Sequence, residues 1–96
     1  MPAYVIADVT VTDAATMEEY RKQVPATIAK YGGRYLVRGG ACETCEGSWT
    51  PSRLVVLEFP SMEQAKRWYD SEEYRIPKSL RQKAGSTNVV FVEGAS

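Results

Sequence analysis

The chain has 96 residues, 44% of them apolar, and its twelve basic and twelve acidic side chains cancel. That is the length of one domain, residues 1–96, which buries roughly 60–65% of its unfolded surface. Neither sign of charge forms a long block and no apolar run approaches a membrane span, so nucleic acid and membrane are excluded as expected partners.

Met1-Pro2 leads straight into Tyr4-Val5-Ile6 with no basic or apolar leader, and a cytoplasmic location is expected. Tyr4 to Val11, rich in β-branched residues, predicts a first strand, and Asp13 a helix N-cap whose carboxylate accepts orphan amide protons. Met17, Tyr20, Val24, Ile28 and Tyr31 recur at helical spacing, with a bend expected near Val24 because Pro25 cannot donate its amide. Gly32-Gly33 ends this helix, and Tyr35 to Arg38 starts a second strand. A long connection carrying Gly47 and Pro51 follows before the apolar strand Leu54 to Phe59. Ser61 with Gln64 matches a capping box, and Met62, Ala65, Trp68 and Tyr69 supply an apolar helical face. Ser71 to Ala84 predicts a shorter helical piece broken by Pro77, and Asn88 to Val92 a final strand.

The order βαββαβ predicts an α+β fold of ferredoxin-like type, a four-stranded antiparallel sheet with two helices on one face. Parity places Tyr4, Ile6, Asp8, Thr10, Leu36 and Arg38 on the uncovered face, with Leu54, Val56, Glu58, Val90 and Val92 beside them. A mostly apolar face with no helix to cover it is best buried by the same face of a second copy, so a homodimer is expected.

Arg38 and Glu58 interrupt strands whose other residues are apolar, and so need solvent or each other. One reading is catalytic: Arg38 orients an anionic or enolate oxygen with its planar fork and Glu58 moves a proton, with Asp8 as a second carboxylate nearby. The other is a structural ion pair that fixes register and lines the dimer interface. Direct contact within one subunit is disfavoured, because a simple hairpin separates Arg38 from Glu58 by most of a strand, and a link across the twofold or through a ligand is expected. Trp49, in the connection, is a candidate pocket wall or interface anchor. Trp68 and Tyr69 lie at core spacing.

The pair Cys42 and Cys45 reads as structural or incidental thiols. The motif lies in a connection beside Glu43 and Glu46, whose charge opposes thiolate formation, and the chain has no histidine to complete a zinc site. A small disulfide, or two such loops meeting across a dimer, are the alternatives. No metal is expected. The glycines form neither a dinucleotide fingerprint nor a P-loop, and the lack of histidine removes Ser-His and Cys-His nucleophiles.

The segments YLVRGG, EGSWTPSRLVVLEFPS, AKRWYDSEEY and VVFVEG resemble, in order and spacing, domain-of-unknown-function family 1330, over nearly the whole chain. The resemblance implies a dimeric α+β barrel, the architecture of antibiotic-biosynthesis monooxygenases and muconolactone isomerases, with a cleft in each subunit. Arg38, Glu58, Arg53, Trp49 and Tyr69 match positions of that pattern, which adds Arg53 and Tyr69 to the candidate ligand contacts; Cys42 and Cys45 depart from it. The expected function is a cofactor-independent enzyme acting on a small oxygenated or aromatic metabolite. The alternatives are a small-ligand binding module and a structural dimer.

Overall fold

The computed structural model describes residues 1–95; Ser96, the last residue of the expected domain, lies outside the described residues. The elements are β1 (Ala3–Val11), α1 (Ala14–Lys30), β2 (Arg34–Arg38), β3 (Leu54–Phe59), α2 (Met62–Tyr69), α3 (Glu72–Ala84) and β4 (Gly85–Glu93). The strands form one antiparallel sheet in the order β2-β3-β1-β4, the ferredoxin-like arrangement in which the first and last strands pair.

The helix starts follow their caps. Asp13 accepts the amide of Thr16, Ser61 that of Gln64 and Ser71 that of Tyr74. Gly32, at φ 80°, ends α1 in a conformation that a Cβ would strain. The expected break at Pro77 does not occur: α3 runs through Pro77, and α1 likewise is continuous through Pro25. Each proline removes one backbone hydrogen bond, yet each is flanked by buried residues of one face, Val24, Thr27 and Ile28 in α1 and Tyr74, Arg81 and Ala84 in α3. Packing of that face keeps the helix continuous against a cost of about 3 kcal/mol. β4 also begins earlier than expected, at Gly85, because it pairs with β1 along that strand's full length, from Ala3↔Glu93 to Val11↔Gly85.

The sheet's inner face carries Val5, Leu57 and Phe59 against Val24, Ile28 and Trp68, and this cluster is the main core. A smaller cluster of Val9, Met17 and Ala84 closes the end of the sheet where α1 begins and α3 ends. The amides of Thr12 and Asp13 both donate to the Ala84 carbonyl, tying those helix ends together. The outer face is as parity predicts on three strands: register groups Tyr4, Glu58 and Val92 across it, and likewise Ile6, Val56 and Val90.

β2 departs from this pattern. Its register to β3 reads Arg34↔Glu58, Tyr35↔Leu57, Val37↔Val56 and Arg38↔Val55, with a shift between Tyr35 and Val37. A bulge adds one residue to the strand and exchanges the faces of all that follows. Val37 therefore shares the outer face with Val56, and Arg38 turns to the inner face with Val55. The expected placement of Arg38 on the uncovered face, the same face as Glu58, is corrected by that extra residue, while its separation from Glu58 along the hairpin is as expected.

Candidate functional site

The inner face and the helices enclose a cavity of about 60 Å³, several times the ~10–15 Å³ that one water needs. Its walls are apolar and aromatic, among them Val5, Val24, Val55, Tyr35 and Trp68. Trp68 is fixed in position: its Nε1 donates to Thr27 Oγ1 at 3.0 Å, and its ring lies 4.2 Å from that of Tyr74. Tyr69 lines the same cavity and meets Phe91 edge-on at 5.5 Å.

Four arginines also line it: Arg21 of α1, Arg38 at the end of β2, Arg53 just before β3, and Arg81 of α3. All four lie towards the end of the sheet where the connection 39–53 leaves. No carboxylate lines the cavity among the described residues. Arg21 reaches Glu18 at 3.5 Å on the exposed side of α1, while Arg38, Arg53 and Arg81 have no salt-bridge partner among the described residues. Arg38 instead stacks over the Tyr35 ring at 4.2 Å. Burial lowers the Arg53 pKa, and the charges of Arg21 and Arg38 lower it further, as expected where cations crowd one another. Arg53 reaches this position over Gly39, where a side chain would overlap its guanidinium; Gly39 has φ 70° and donates its amide to Leu54 O.

Arg81 is only 5% exposed, and it was missed in the sequence. It lies beside two phenols, Tyr74 and Tyr20, whose hydroxyls are 2.9 Å apart. Burial pushes the Tyr20 pKa far above the ordinary tyrosine range, assisted by Tyr74, and burial raises Tyr74 as well. Both are therefore neutral hydrogen-bonding groups at physiological pH rather than bases. A sequence signal for Arg81 exists: it falls at helical spacing with Tyr74, Pro77 and Ala84, the buried stripe of α3.

The expected cluster of Arg38, Glu58 and Asp8 does not form within one chain. Glu58 is on the outer face, where it pairs with Arg34 at 2.7 Å. Asp8 is on the outer face too, but level with Leu54, whereas Glu58 is level with Tyr4; four residues of strand put them roughly 13 Å apart. Asp8 accepts from Trp49 Nε1 at 2.9 Å and from the amides of Ser52 and Arg53. The Trp49 bond, followed by those amides, lowers its pKa and keeps it ionised. Trp49 is 60% exposed and clasps the connection to β1 on the outer face, so it is no wall of the cavity. Of the sequence candidates, Arg38, Arg53 and Tyr69 converge on the cavity, and Glu58, Asp8 and Trp49 do not. Cys42 and Cys45 are both exposed and unbonded.

The fold is similar to that of several solved structures. RPA0582, a protein of unknown function from Rhodopseudomonas palustris, matches with a TM-score of 0.79 at 15% identity, over 99% of this chain and 83% of the other. SnoaB from Streptomyces nogalater, described as a cofactor-independent oxygenase, matches with a TM-score of 0.68 at 11% identity, over 99% and 94%. A NIPSNAP domain protein from Burkholderia xenovorans matches with a TM-score of 0.56 at 14% identity, over 100% and 96%. At these identities the likeness is one of fold. None of the curated proteins matches this sequence. The model of the domain of unknown function DUF1330 matches residues 2–95, and the chain belongs to that family.

Proposed function

We propose that this chain is a cofactor-independent enzyme acting on a small oxygenated or aromatic metabolite held between the sheet and the helices, in a homodimer joined through the outer face. The observation that carries the reading is the cavity's composition: apolar and aromatic walls, four guanidinium groups and no carboxylate among the described residues. Of the four, Arg81 is buried, Arg21 and Arg53 are half-buried and Arg38 is exposed, so the cost of an unpaired buried cation, several kcal/mol, falls mainly on Arg81. A site that accepts this cost suits a ligand that brings its own negative charge.

The groups present suit one chemical task. Guanidinium groups and neutral phenols stabilise an oxyanion without removing a proton, so the substrate would enter already ionised, as an enolate, phenolate or carboxylate. Arg38 and Arg53 would hold that oxygen at the entrance, while Tyr35, Trp68 and Tyr69 would pack the ring or unsaturated body. The fold shared with SnoaB, a cofactor-independent oxygenase, supports a reaction of this class.

The test is to incubate the purified protein, with no added cofactor, with a panel of small phenols, enols and aromatic acids, following oxygen uptake and new products by mass spectrometry. Turnover that falls at least tenfold in Arg53→Met and Arg38→Met supports the proposal. Saturable binding without turnover would replace it with the alternative of a binding module, and neither binding nor turnover would leave a structural dimer.

A further inference from the structure

Tyr20 of α1 and Tyr74 and Arg81 of α3 line the cavity from its helical side, whereas Arg38 and Arg53 belong to its sheet side. The two phenol hydroxyls are 2.9 Å apart, and the Arg81 guanidinium is hydrogen-bonded to that of Tyr74. Tyr74 and Arg81 are buried, and Tyr20 is half-buried. Tyr35 lies within electrostatic reach of Tyr20 and Tyr74 on one side and of Arg38 and Arg53 on the other, and so stands between the two groups.

A guanidinium has no acceptor atom, so in its bond to Tyr74 it donates. The two phenols carry two O–H protons, and their mutual contact uses one of them, whichever hydroxyl donates. The other proton has no acceptor among the described residues, and no carboxylate lines the cavity. It is left for what fills the cavity, a water or an oxygen of a ligand. Charge decides between them: Arg81 donates into the pair from behind, polarisation along such a chain strengthens the free O–H, and a nearby cation favours an oxygen that carries negative charge over a neutral one. A single free proton suits a single-oxygen anion, a phenolate or enolate; a carboxylate or phosphate presents more lone pairs than this pair can serve.

We propose that Tyr20 and Tyr74, with Arg81 as a positioning residue behind Tyr74, hold the ionised hydroxyl of a phenolic or enolic ligand. The inference rests on the function proposed above and names its substrate class: a phenol or enol bound as its anion, whose second oxygen, a carbonyl or an acid, is left to Arg38 and Arg53. Burial keeps the two protein phenols protonated, so they serve as donors and the ligand carries the charge.

The experiment uses the full chain and two probes: para-nitrophenol, whose ionisation is visible in its absorbance, and nitrobenzene, which lacks the hydroxyl. Binding is read from tryptophan fluorescence. Bound nitrophenol is expected to ionise at least tenfold more readily than free nitrophenol, and its anion to bind at least tenfold more tightly than nitrobenzene. Tyr20→Phe combined with Tyr74→Phe should remove most of both preferences while changing nitrobenzene affinity less than twofold. Arg81→Gln should cut the gain in ionisation several-fold and Arg81→Lys restore most of it, which a merely structural role for Arg81 would not produce. Should the double variant not fold, the NMR ring signals of isotope-labelled tyrosines in the natural chain decide: nitrophenol should move Tyr20 and Tyr74 more than nitrobenzene does, and equal movement would overturn the site. An ionisation gain that survives the double variant and falls in Arg53→Met would overturn the assignment to Tyr20 and Tyr74 while leaving the proposed function standing. Nitrobenzene binding as tightly as the anion would overturn the oxygen site and leave only an apolar cavity. Neither probe binding would remove this inference and the function it rests on together.

Discussion

The two faces of the sheet are incomplete in opposite ways. On the outer face the charges are served within the chain, Glu58 by Arg34 and Asp8 by Trp49 and two amides, while the apolar side chains are not: Val90 is 55% and Val92 43% exposed. On the inner face the apolar side chains are packed, while Arg38, Arg53 and Arg81 have no carboxylate partner among the described residues: Arg38 is exposed and stacks on Tyr35, and Arg81 lies buried against Tyr74. An apolar surface without cover is completed by another apolar surface, and a cation without a counterion by an anion. The outer face thus points to a second protein copy and the inner face to a small molecule. A carboxylate on the outer face does not add to a site on the inner one, which is why Glu58 drops out of the chemistry.

The largest effect expected is on the outer face. Val90→Asp puts a charge on the uncovered surface, beside Ile6 on the edge strand β4, at a position that is solvent-exposed in one chain, so the single subunit should keep its fold while association is lost. Sedimentation equilibrium should show a dimer at micromolar concentration for the natural chain and a monomer for the variant. A natural chain that sediments as a monomer would break the comparison at once, because the outer face would then be complete as it stands.

On the inner face, Gly39→Ala should act through Arg53. The left-handed backbone at φ 70° costs a residue with a Cβ roughly 1–2 kcal/mol, and that Cβ occupies the space of the Arg53 guanidinium. Urea unfolding should show a loss of that size. Affinity for an aromatic acid should fall as well, since Arg53 is displaced from the entrance. Loss of stability with unchanged affinity would show that Arg53 serves the loop and not a ligand.

How much of this was legible in the sequence follows the same division. The outer face is flat and regular, and the alternation in β1, β3 and β4 placed Tyr4, Ile6, Val56, Glu58, Val90 and Val92 correctly. Strand order, the Asp13 cap and the helix starts were also legible, because each depends on a few neighbouring residues. Arg38 was misplaced by one bulged residue, which leaves no mark in a strand of five residues. Arg81 was overlooked because an arginine among Lys78, Lys83 and Glu73 reads as part of a solvated helix face, and only its helical spacing from Tyr74 and Ala84 shows otherwise. The pairing of Tyr20 with Tyr74 joins residues from two helices far apart in sequence, and no local pattern announces it.

A smaller effect is expected where the connection crosses the end of the sheet. The folded pKa of Asp8 is lowered from 3.8, chiefly by Trp49, so its contribution to stability is complete above that value and is lost as the pH falls through the folded pKa. Glu73 behaves alike, its pKa brought down to about 2 mainly by Lys30. Stability should therefore be flat from neutral pH to about pH 5 and decline below about pH 4. The Trp49 indole N–H signal should shift over that acid range, and Asp8→Asn should shift it in the same direction at neutral pH. A Trp49 signal indifferent to both would show that the connection is held by something other than this clasp.

The smallest effect belongs to the two cysteines in that connection. Cys42 and Cys45 are exposed, have no disulfide, and touch neither the packed inner face nor the paired charges of the outer one. What holds the segment is Asp8 with Trp49, Ser52 and Arg53, aided by Thr44 donating to the Trp49 carbonyl. Replacing both cysteines by serine exchanges one small solvated group for another, and a loop of this size gains little from a cross-link. In reducing buffer the melting temperature should change by no more than about 1–2 °C, within the ordinary range of surface substitutions, and binding of an aromatic acid should be unaltered. Stoichiometric zinc that survives dialysis of the natural chain, with a lower melting temperature on chelation, would reverse this reading: two loops brought together across the outer-face dimer would then supply four thiolates, and the connection would belong to the protein partner's side of the molecule.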